Sequence, residues 1–210
     1  MNGHVSDDLW KNPFSKQYWL DALKGFKDVK KLVLASILIA MMIVVNVYSV
    51  ALNIEVLGNK VYFEFIPSII CSMLVGPVIG IAAGAISDIL GFMIMPGGYS
   101  FFFGYTLSAI LASLIYALFL YKTKITIMKI FLAKFVVNLF VNVVLGSLWR
   151  VMMTGVFSMY WSYAILSLTK NMLLLPFEVA ILYYLLKYLI PISKSAHVMS
   201  IHVPDVIHFM

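Results

Sequence analysis

The sequence predicts an all-α integral membrane protein built as a bundle of six transmembrane helices. Of its 210 residues, 63% are hydrophobic and only 11% are charged, and the mean hydropathy is +1.00. A soluble domain of this length does not need so much apolar surface, so many of these side chains are predicted to face lipid. The six apolar runs that predict the spans are residues 32–51, 62–75, 77–95, 102–120, 127–153 and 163–189.

Lysines set the predicted orientation of the bundle. The formal net charge is +6, but the lysines form two groups beside apolar runs, which argues against a nucleic-acid partner. Cytoplasmic segments of membrane proteins are rich in Lys and Arg. Both groups of lysines and both termini are therefore predicted to be cytoplasmic, and the protein is predicted to lie in the cell membrane. The groups are Lys11, Lys16, Lys24, Lys27, Lys30 and Lys31, and Lys122, Lys124 and Lys129.

Three segments follow from this pattern. Residues 1–31 form a basic leader, in which residues 15–31 are either an amphipathic helix on the membrane surface or a loosely ordered chain. Residues 32–190 form the membrane domain, and residues 191–210 form a cytoplasmic tail. The three histidines of the tail are irregularly spaced and do not predict a metal site, and we expect no cofactor.

The stretch from Gly76 to Gly104 is the one around which the other spans are organised. Its first glycines recur every four residues and let a neighbouring helix approach closely. Asp88 is the one ionisable residue inside this span, and an intramembrane carboxylate is a functional candidate. Asp88 contacts a ligand or positions the next loop. A Pro-Gly-Gly turn and an aromatic cluster that includes Tyr99 and Phe103 follow, which predicts a lid-like loop.

The fifth and sixth spans carry polar residues along single faces. Lys134, Asn138 and Asn142 recur every four residues, which places them on one face of a helix. Such a stripe lines an internal pocket or meets polar partners, because it cannot favourably face lipid. Glu178 of the sixth span is predicted to pair with Lys134, and Asn171 lies on the same side of that span.

No motif predicts catalysis. The sequence contains no phosphate-cradling Gly-rich loop, so the chain is not expected to hydrolyse ATP. It also contains no His-x-x-x-His pair and no Gly-x-Ser-x-Gly elbow. The predicted bundle is therefore a device that captures a small molecule. The alternatives are a membrane enzyme acting on a lipid or isoprenoid, in which Asp88 would need a second acid, and a stand-alone facilitator.

Several runs together resemble the substrate-specific S components of energy-coupling factor (ECF) vitamin transporters, and among them the folate family. The likeness spans about residues 31–187. The runs that carry it are Phe65-Ile66-Pro67, Met73 to Gly80, Gly84 to Phe92, Pro96-Gly97-Gly98-Tyr99, Gly104 to Ala109, Leu118 to Lys122, Ala133-Lys134, Val137-Asn138, Asn142, Leu148-Trp149, Lys170-Asn171 and Leu175 to Val179.

The resemblance implies a six-helix protein that binds a vitamin on its outer side, with the first, third and fifth loops as lids. It also implies a transmembrane T component and two cytoplasmic ATPases as partners, so that ATP is hydrolysed by those subunits. The small residues Ala35, Ser36 and Ala40 correspond to the face that such proteins use against the T component. Packing inside the bundle is the other interpretation of these three residues.

The resemblance and the residues together give a predicted ligand set. Folate-family members usually carry an arginine where Ser167 stands and an asparagine where Gly146 stands. Because folate carries carboxylates, these departures keep pantothenate, a pyridoxine-type ring and a thiamin precursor open as ligands. Arg150 either substitutes for the missing arginine or anchors the interface. The residues expected to contact ligand or hold its pocket are Asp88, Tyr99, Phe103, Asn138, Asn142, Trp149, Arg150, Lys170 and Asn171.

Overall fold

Helices form nearly all of the chain that the structure, a computed structural model, describes. The described residues are 13, 15–96, 100–196 and 207. The leader contains α1, Lys16–Lys24, followed by a single 3-10 turn, Gly25–Lys27. The helix α1 begins where the Ser15 side chain accepts a hydrogen bond from the Tyr18 backbone amide. Of the two alternatives for residues 15–31, the structure has a helix over part of the segment, and this helix ends before residue 31.

In the described part of the chain, five long apolar helical stretches and one shorter helix follow the leader. The first begins at Val29, because the Asp28 carboxylate accepts a hydrogen bond from the Lys30 amide and caps the helix. It therefore includes three residues that the sequence assigned to the leader. The helices are α2, Val29–Leu52; α3, Phe65–Val75; α4, Pro77–Ile94; α5, Phe103–Leu120; α6, Ile127–Val136; α7, Gly146–Thr154; and α8, Tyr160–Ser195.

The fifth pass is interrupted in a way that the sequence did not predict. Between α6 and α7, the residues Val137–Leu145 form a π-helix, in which hydrogen bonds join residues five apart. In the described part of the chain, five helical stretches are long and apolar enough to cross a membrane, and this pass is one of them. These stretches make the chain a multi-pass membrane protein.

The short helix α3 lies at the centre of the bundle. It has 11 residues, which span about 17 Å, so it is shorter than the hydrocarbon core of about 30 Å. Every residue from Pro67 to Val75 is buried. A helix that is apolar on all sides is one that other helices surround. The prediction that the second span is short is confirmed, although the helix begins three residues later than predicted.

The corner between α3 and α4 requires glycine. Gly76 has a φ of 94°, a backbone conformation that side chains with a Cβ rarely adopt. A Cβ atom there would lie 2.8 Å from the Tyr121 ring, which closes over the corner. Pro77 then begins α4 in the position where its missing N–H costs nothing.

A two-stranded hairpin joins α2 to α3. Its strands β1, Glu55–Val56, and β2, Asn59–Lys60, pair antiparallel, so that Glu55 faces Lys60. The turn residues Leu57 and Gly58 both have positive φ, as a two-residue hairpin turn requires. We call the end of the bundle that carries this hairpin, the start of α5 and the end of α7 the hairpin end. The opposite end, with α1, is the leader end.

Candidate ligand-binding site

Two cations from different helices meet the hairpin. The Arg150 guanidinium, on α7, donates a hydrogen bond to the Asn59 side-chain oxygen. It also lies 6.0 Å from the centre of the Tyr163 ring. The Lys170 ammonium, on α8, donates to the backbone carbonyl of Lys60 at 3.1 Å. The second strand of the hairpin is thus held by positive charges from both of the last two passes.

The partners of these two cations are neutral oxygens. Within the described part of the chain, no carboxylate oxygen lies within 4.0 Å of Arg150 or Lys170. Both side chains are half-buried. Charged groups in such a position are stabilised strongly by an opposite charge. The hairpin end can therefore hold an anionic group of a small molecule.

An aromatic pair lies beside the start of α5. The Trp149 indole N–H donates to the Ser108 hydroxyl at 2.9 Å, and the Phe102 ring lies 5.7 Å from the Trp149 ring. This packing needs Gly104, since a Cβ atom there would lie 2.6 Å from Trp149 Cδ2 and still closer to the Phe102 ring. The predicted ligand residue Phe103 is 64% exposed. Phe102, which was not among the predicted ligand residues, is the ring that contacts Trp149.

A chain of polar contacts, which we call the polar seam, joins the last two passes. Lys134 is 2% exposed, and its ammonium lies 3.2 Å from a Glu178 carboxylate oxygen and 3.6 Å from the centre of the Phe65 ring. Glu178 accepts a hydrogen bond from Asn138 at 3.0 Å, and Asn138 accepts one from Asn142 at 2.9 Å. The predicted Lys134–Glu178 ion pair and the stacking of the two asparagines are confirmed.

The seam continues into α8 through Ser167 and Asn171. The Asn142 amide donates to the Asn171 side-chain oxygen at 3.4 Å, and Ser167 donates to the Asn142 carbonyl at 3.1 Å. The Asn171 amide donates to the Ser167 carbonyl and hydroxyl. The Ser167 hydroxyl therefore has one partner in the π-helix and one in α8 itself.

A second polar cluster lies among α2, α3, α4 and α5. The Thr106 hydroxyl donates to an Asp88 carboxylate oxygen at 2.6 Å. Glu64 accepts hydrogen bonds from Asn46 at 2.6 Å and from Ser87 at 3.2 Å. Glu64 lies in the second predicted span but was not among the predicted site residues, and Asn46 and Ser87 hold its carboxylate between α2 and α4. The available signal was Asn46, a polar residue inside the first span.

The nine predicted ligand residues fall into separate groups. Asn138, Asn142 and Asn171 lie together in the polar seam, and Arg150 and Lys170 lie together at the hairpin. Trp149 and Asp88 each contact a polar side chain of α5, while Phe103 is exposed. Tyr99 and the three histidines of the tail lie outside the described residues. The residues that the structure describes contain no cluster that could hold a metal ion.

The three predicted docking residues do not share a face of α2. Ser36 and Ala40 are exposed, and the Ser36 hydroxyl donates to the Leu32 carbonyl. Ala35 is buried in the hydrophobic core. Since consecutive residues of a helix point about 100° apart, Ala35 follows the packing interpretation, and docking through Ser36 and Ala40 stays a prediction.

A comparison with known protein families agrees with this multi-pass helical architecture. The family model for the substrate-specific component of ECF transporters matches residues 30–200. This chain belongs to that family. The matched residues run from the second residue of α2 to beyond the end of α8, and α1 lies before them.

Two relatives and one solved structure to which this chain is similar are all called FolT. The chain is 35% identical over 109 residues to the folate transporter FolT of Clostridium novyi, covering 52% of this chain and spanning 63% of that protein's length. It is 29% identical over 163 residues to FolT of Leuconostoc mesenteroides, covering 76% of this chain and 85% of that protein. A crystal structure of FolT bound with folic acid matches with a TM-score of 0.65 and 33% identity, covering 75% of this chain and 92% of the other.

Proposed function

We propose that this substrate-specific component binds folate at the hairpin end of the bundle. The observation that carries the proposal is the pair of cations, Arg150 and Lys170, whose partners in the described chain are neutral oxygens. Folate ends in a glutamate with two carboxylates, and carboxylates are the ligands that Arg and Lys favour. Its pteridine is a flat ring, and Trp149 with Phe102 offers the aromatic surface that such a ring prefers. The likeness to FolT with folic acid supports the same ligand.

Ser167 bears on the choice of vitamin. It stands where folate-family members usually carry an arginine, and its hydroxyl donates to the Asn142 carbonyl of the π-helix and accepts from the Asn171 amide of α8. Arg150 lies on the neighbouring helix, and we propose that it supplies the missing positive charge from there. A smaller vitamin without carboxylates would leave both Arg150 and Lys170 without an anionic partner, which disfavours a pyridoxine-type ring or a thiamin precursor.

Membership in this family supports the remaining parts of the proposal. The chain would work without enzymatic activity of its own, with a transmembrane T component and two cytoplasmic ATPases that hydrolyse ATP. The lysines of the leader and of the 122–129 connection favour a cytoplasmic leader end in the cell membrane. The hairpin end then faces outward, where the vitamin is captured. Ser36 and Ala40, exposed on α2, are the proposed contact with the T component.

The test is a binding titration of the full chain in detergent. Tryptophan fluorescence and calorimetry would be followed as folate, pantothenate, pyridoxine and thiamin are added to separate samples. We expect saturable binding of folate alone. Saturable binding of one of the other three vitamins, with no response to folate, would overturn the proposal. Uptake of folate by vesicles that contain this chain without ATPase subunits would contradict the proposed partners.

A further inference from the structure

The helix α1 is fixed to the bundle along one stripe. Tyr18, Ala22 and Gly25 are all buried, and their spacing of four and three residues places them on one side of the helix. The Tyr18 hydroxyl donates to the Ala117 carbonyl at 3.2 Å, and its ring meets the Tyr121 ring edge-on. Burial raises the pKa of Tyr18 well above its ordinary value, so this phenol remains a neutral donor.

The opposite stripe of the leader is apolar and exposed. Leu20 is 43% exposed and Leu23 is 50% exposed, and Phe26 of the following turn is 45% exposed. Leu20 follows Tyr18 by two residues, which turns it about 200° around the helix, away from the bundle. Large apolar side chains on a free helix face are costly in water, so this stripe has a partner that covers it.

Lysines surround the exposed stripe. Lys16, Lys24, Lys27 and Lys30 are all exposed. The two aspartates of this segment are occupied, because Asp21 pairs with Lys24 at 3.1 Å and lies 3.8 Å from Lys122, while Asp28 caps α2. Residues 15–31 hold five lysines and two aspartates, which leaves a charge of +3. The partner that covers this surface therefore has an apolar region that receives the stripe and an anionic region that receives the lysines.

The stripe is continuous with the lipid-facing side of α2. Val29, Val33 and Ile37 are exposed apolar residues of that helix, and the chain passes to them directly from Phe26. Since α2 crosses the membrane, α1 lies beside the end of a span, at the level where acyl chains give way to headgroups. A helix at this level that is both basic and amphipathic matches the surface of an anionic leaflet. Its lysines meet the headgroups, and its apolar stripe meets the acyl chains.

We propose that α1 and its 3-10 turn bind the surface of a leaflet that contains anionic phospholipid. Leu20, Leu23 and Phe26 insert at the boundary of the acyl chains, and the four exposed lysines contact headgroup phosphates. Tyr18 and Ala22 hold the helix to the bundle at the same time. This lipid-binding surface lies before the residues that the family model matches and is independent of the vitamin.

A fluorescent probe at Leu23 tests this proposal. The variant Leu23→Cys can be labelled selectively with bimane, because the native Cys71 is buried. The labelled full chain would be placed in nanodiscs of phosphatidylcholine, with and without phosphatidylglycerol. We expect the emission to shift to shorter wavelength when phosphatidylglycerol is present. High salt should remove that shift, because it screens exposed charges.

Charge variants decide whether the lysines cause the shift. We expect Lys16→Gln, Lys24→Gln, Lys27→Gln and Lys30→Gln together to abolish the dependence on phosphatidylglycerol. The matched control neutralises four lysines elsewhere, Lys60, Lys124, Lys187 and Lys194, and should leave it unchanged. An emission that is identical in both kinds of nanodisc would overturn the proposal. So would a full response to phosphatidylglycerol in the leader variant. Neither outcome bears on vitamin binding.

Discussion

The polar seam and the hairpin end use the same kind of side chain in opposite ways. In the seam, the Lys134 ammonium has a Glu178 carboxylate oxygen at 3.2 Å and the Phe65 ring beneath it. At the hairpin, the described hydrogen-bond partners of Arg150 and Lys170 are neutral oxygens. A cation removed from water needs an opposite charge. Lys134 receives that charge from within the protein, whereas the hairpin cations remain able to receive it from a ligand.

This difference separates structural charges from functional ones inside one bundle. The seam is neutral as a unit, so it joins the last two passes without attracting an anion. The hairpin end keeps its positive charge because a hydrogen bond to an amide or carbonyl oxygen does not neutralise the donor. Variants at the two places should therefore change different properties of the protein.

The largest effect is expected in the seam. The variant Lys134→Met leaves the Glu178 carboxylate, whose side chain is 13% exposed, without its cation, which should lower the free energy of unfolding by about 3–5 kcal/mol. Thermal unfolding of the full chain in detergent would measure this loss. The control is Lys187→Met on the exposed side of α8, which should change stability by less than about 0.5 kcal/mol. Equal melting temperatures for the two variants would contradict a structural role for the pair.

The next effect concerns binding. Each of Arg150→Gln and Lys170→Gln should weaken folate binding by about 1.5–3 kcal/mol, the contribution of a hydrogen bond to a charged group. Calorimetry with folate and with pteroate, which lacks the glutamate, would locate the contact. The loss should be much smaller for pteroate. If both ligands lost affinity equally, the cations would not contact the glutamate carboxylates.

The smallest effect separates shape from charge at the hairpin end. The methyl group added by Gly104→Ala would overlap the Phe102 and Trp149 rings. Overpacking of this kind lowers the free energy of unfolding by about 1–3 kcal/mol. We expect folate and pteroate to lose affinity by the same factor, because the charge is unchanged. The control is Gly146→Ala, where a Cβ atom would lie 3.6 Å from its nearest neighbour, the Val141 carbonyl oxygen. A selective loss for folate would show that the aromatic pair and the cations are not independent.

The sequence predicted the features of the fold that depend on composition and spacing. Apolar runs located the helices of the membrane domain, and the four-residue spacing of Lys134, Asn138 and Asn142 predicted the seam. The π-helix between α6 and α7 does not separate these residues, because the Asn142 amide still donates to the Asn138 side-chain oxygen. The π-helix itself was not predictable from the sequence. Whether a backbone amide bonds to the carbonyl five residues earlier depends on how the neighbouring helices pack.

The contacts at the hairpin end were only partly predictable. Arg150 and Lys170 were expected to face a ligand, but their contacts with Asn59 and Lys60 join residues 91 and 110 positions apart. Such pairings leave no local pattern in a sequence. The choice between Phe102 and Phe103 depends on where α5 begins after its loop, and a shift of one residue turns a side chain by about 100°. Helix ends are the least certain part of any such prediction.

The last helix is longer than a membrane is thick. The 36 residues of α8 extend over roughly 54 Å, against a hydrocarbon core of about 30 Å. Even at a tilt of about 40°, near the upper limit for membrane helices, roughly 15 Å of α8 must project beyond the hydrocarbon. This overhang therefore lies in the headgroup region or in water, on one side of the membrane or shared between both.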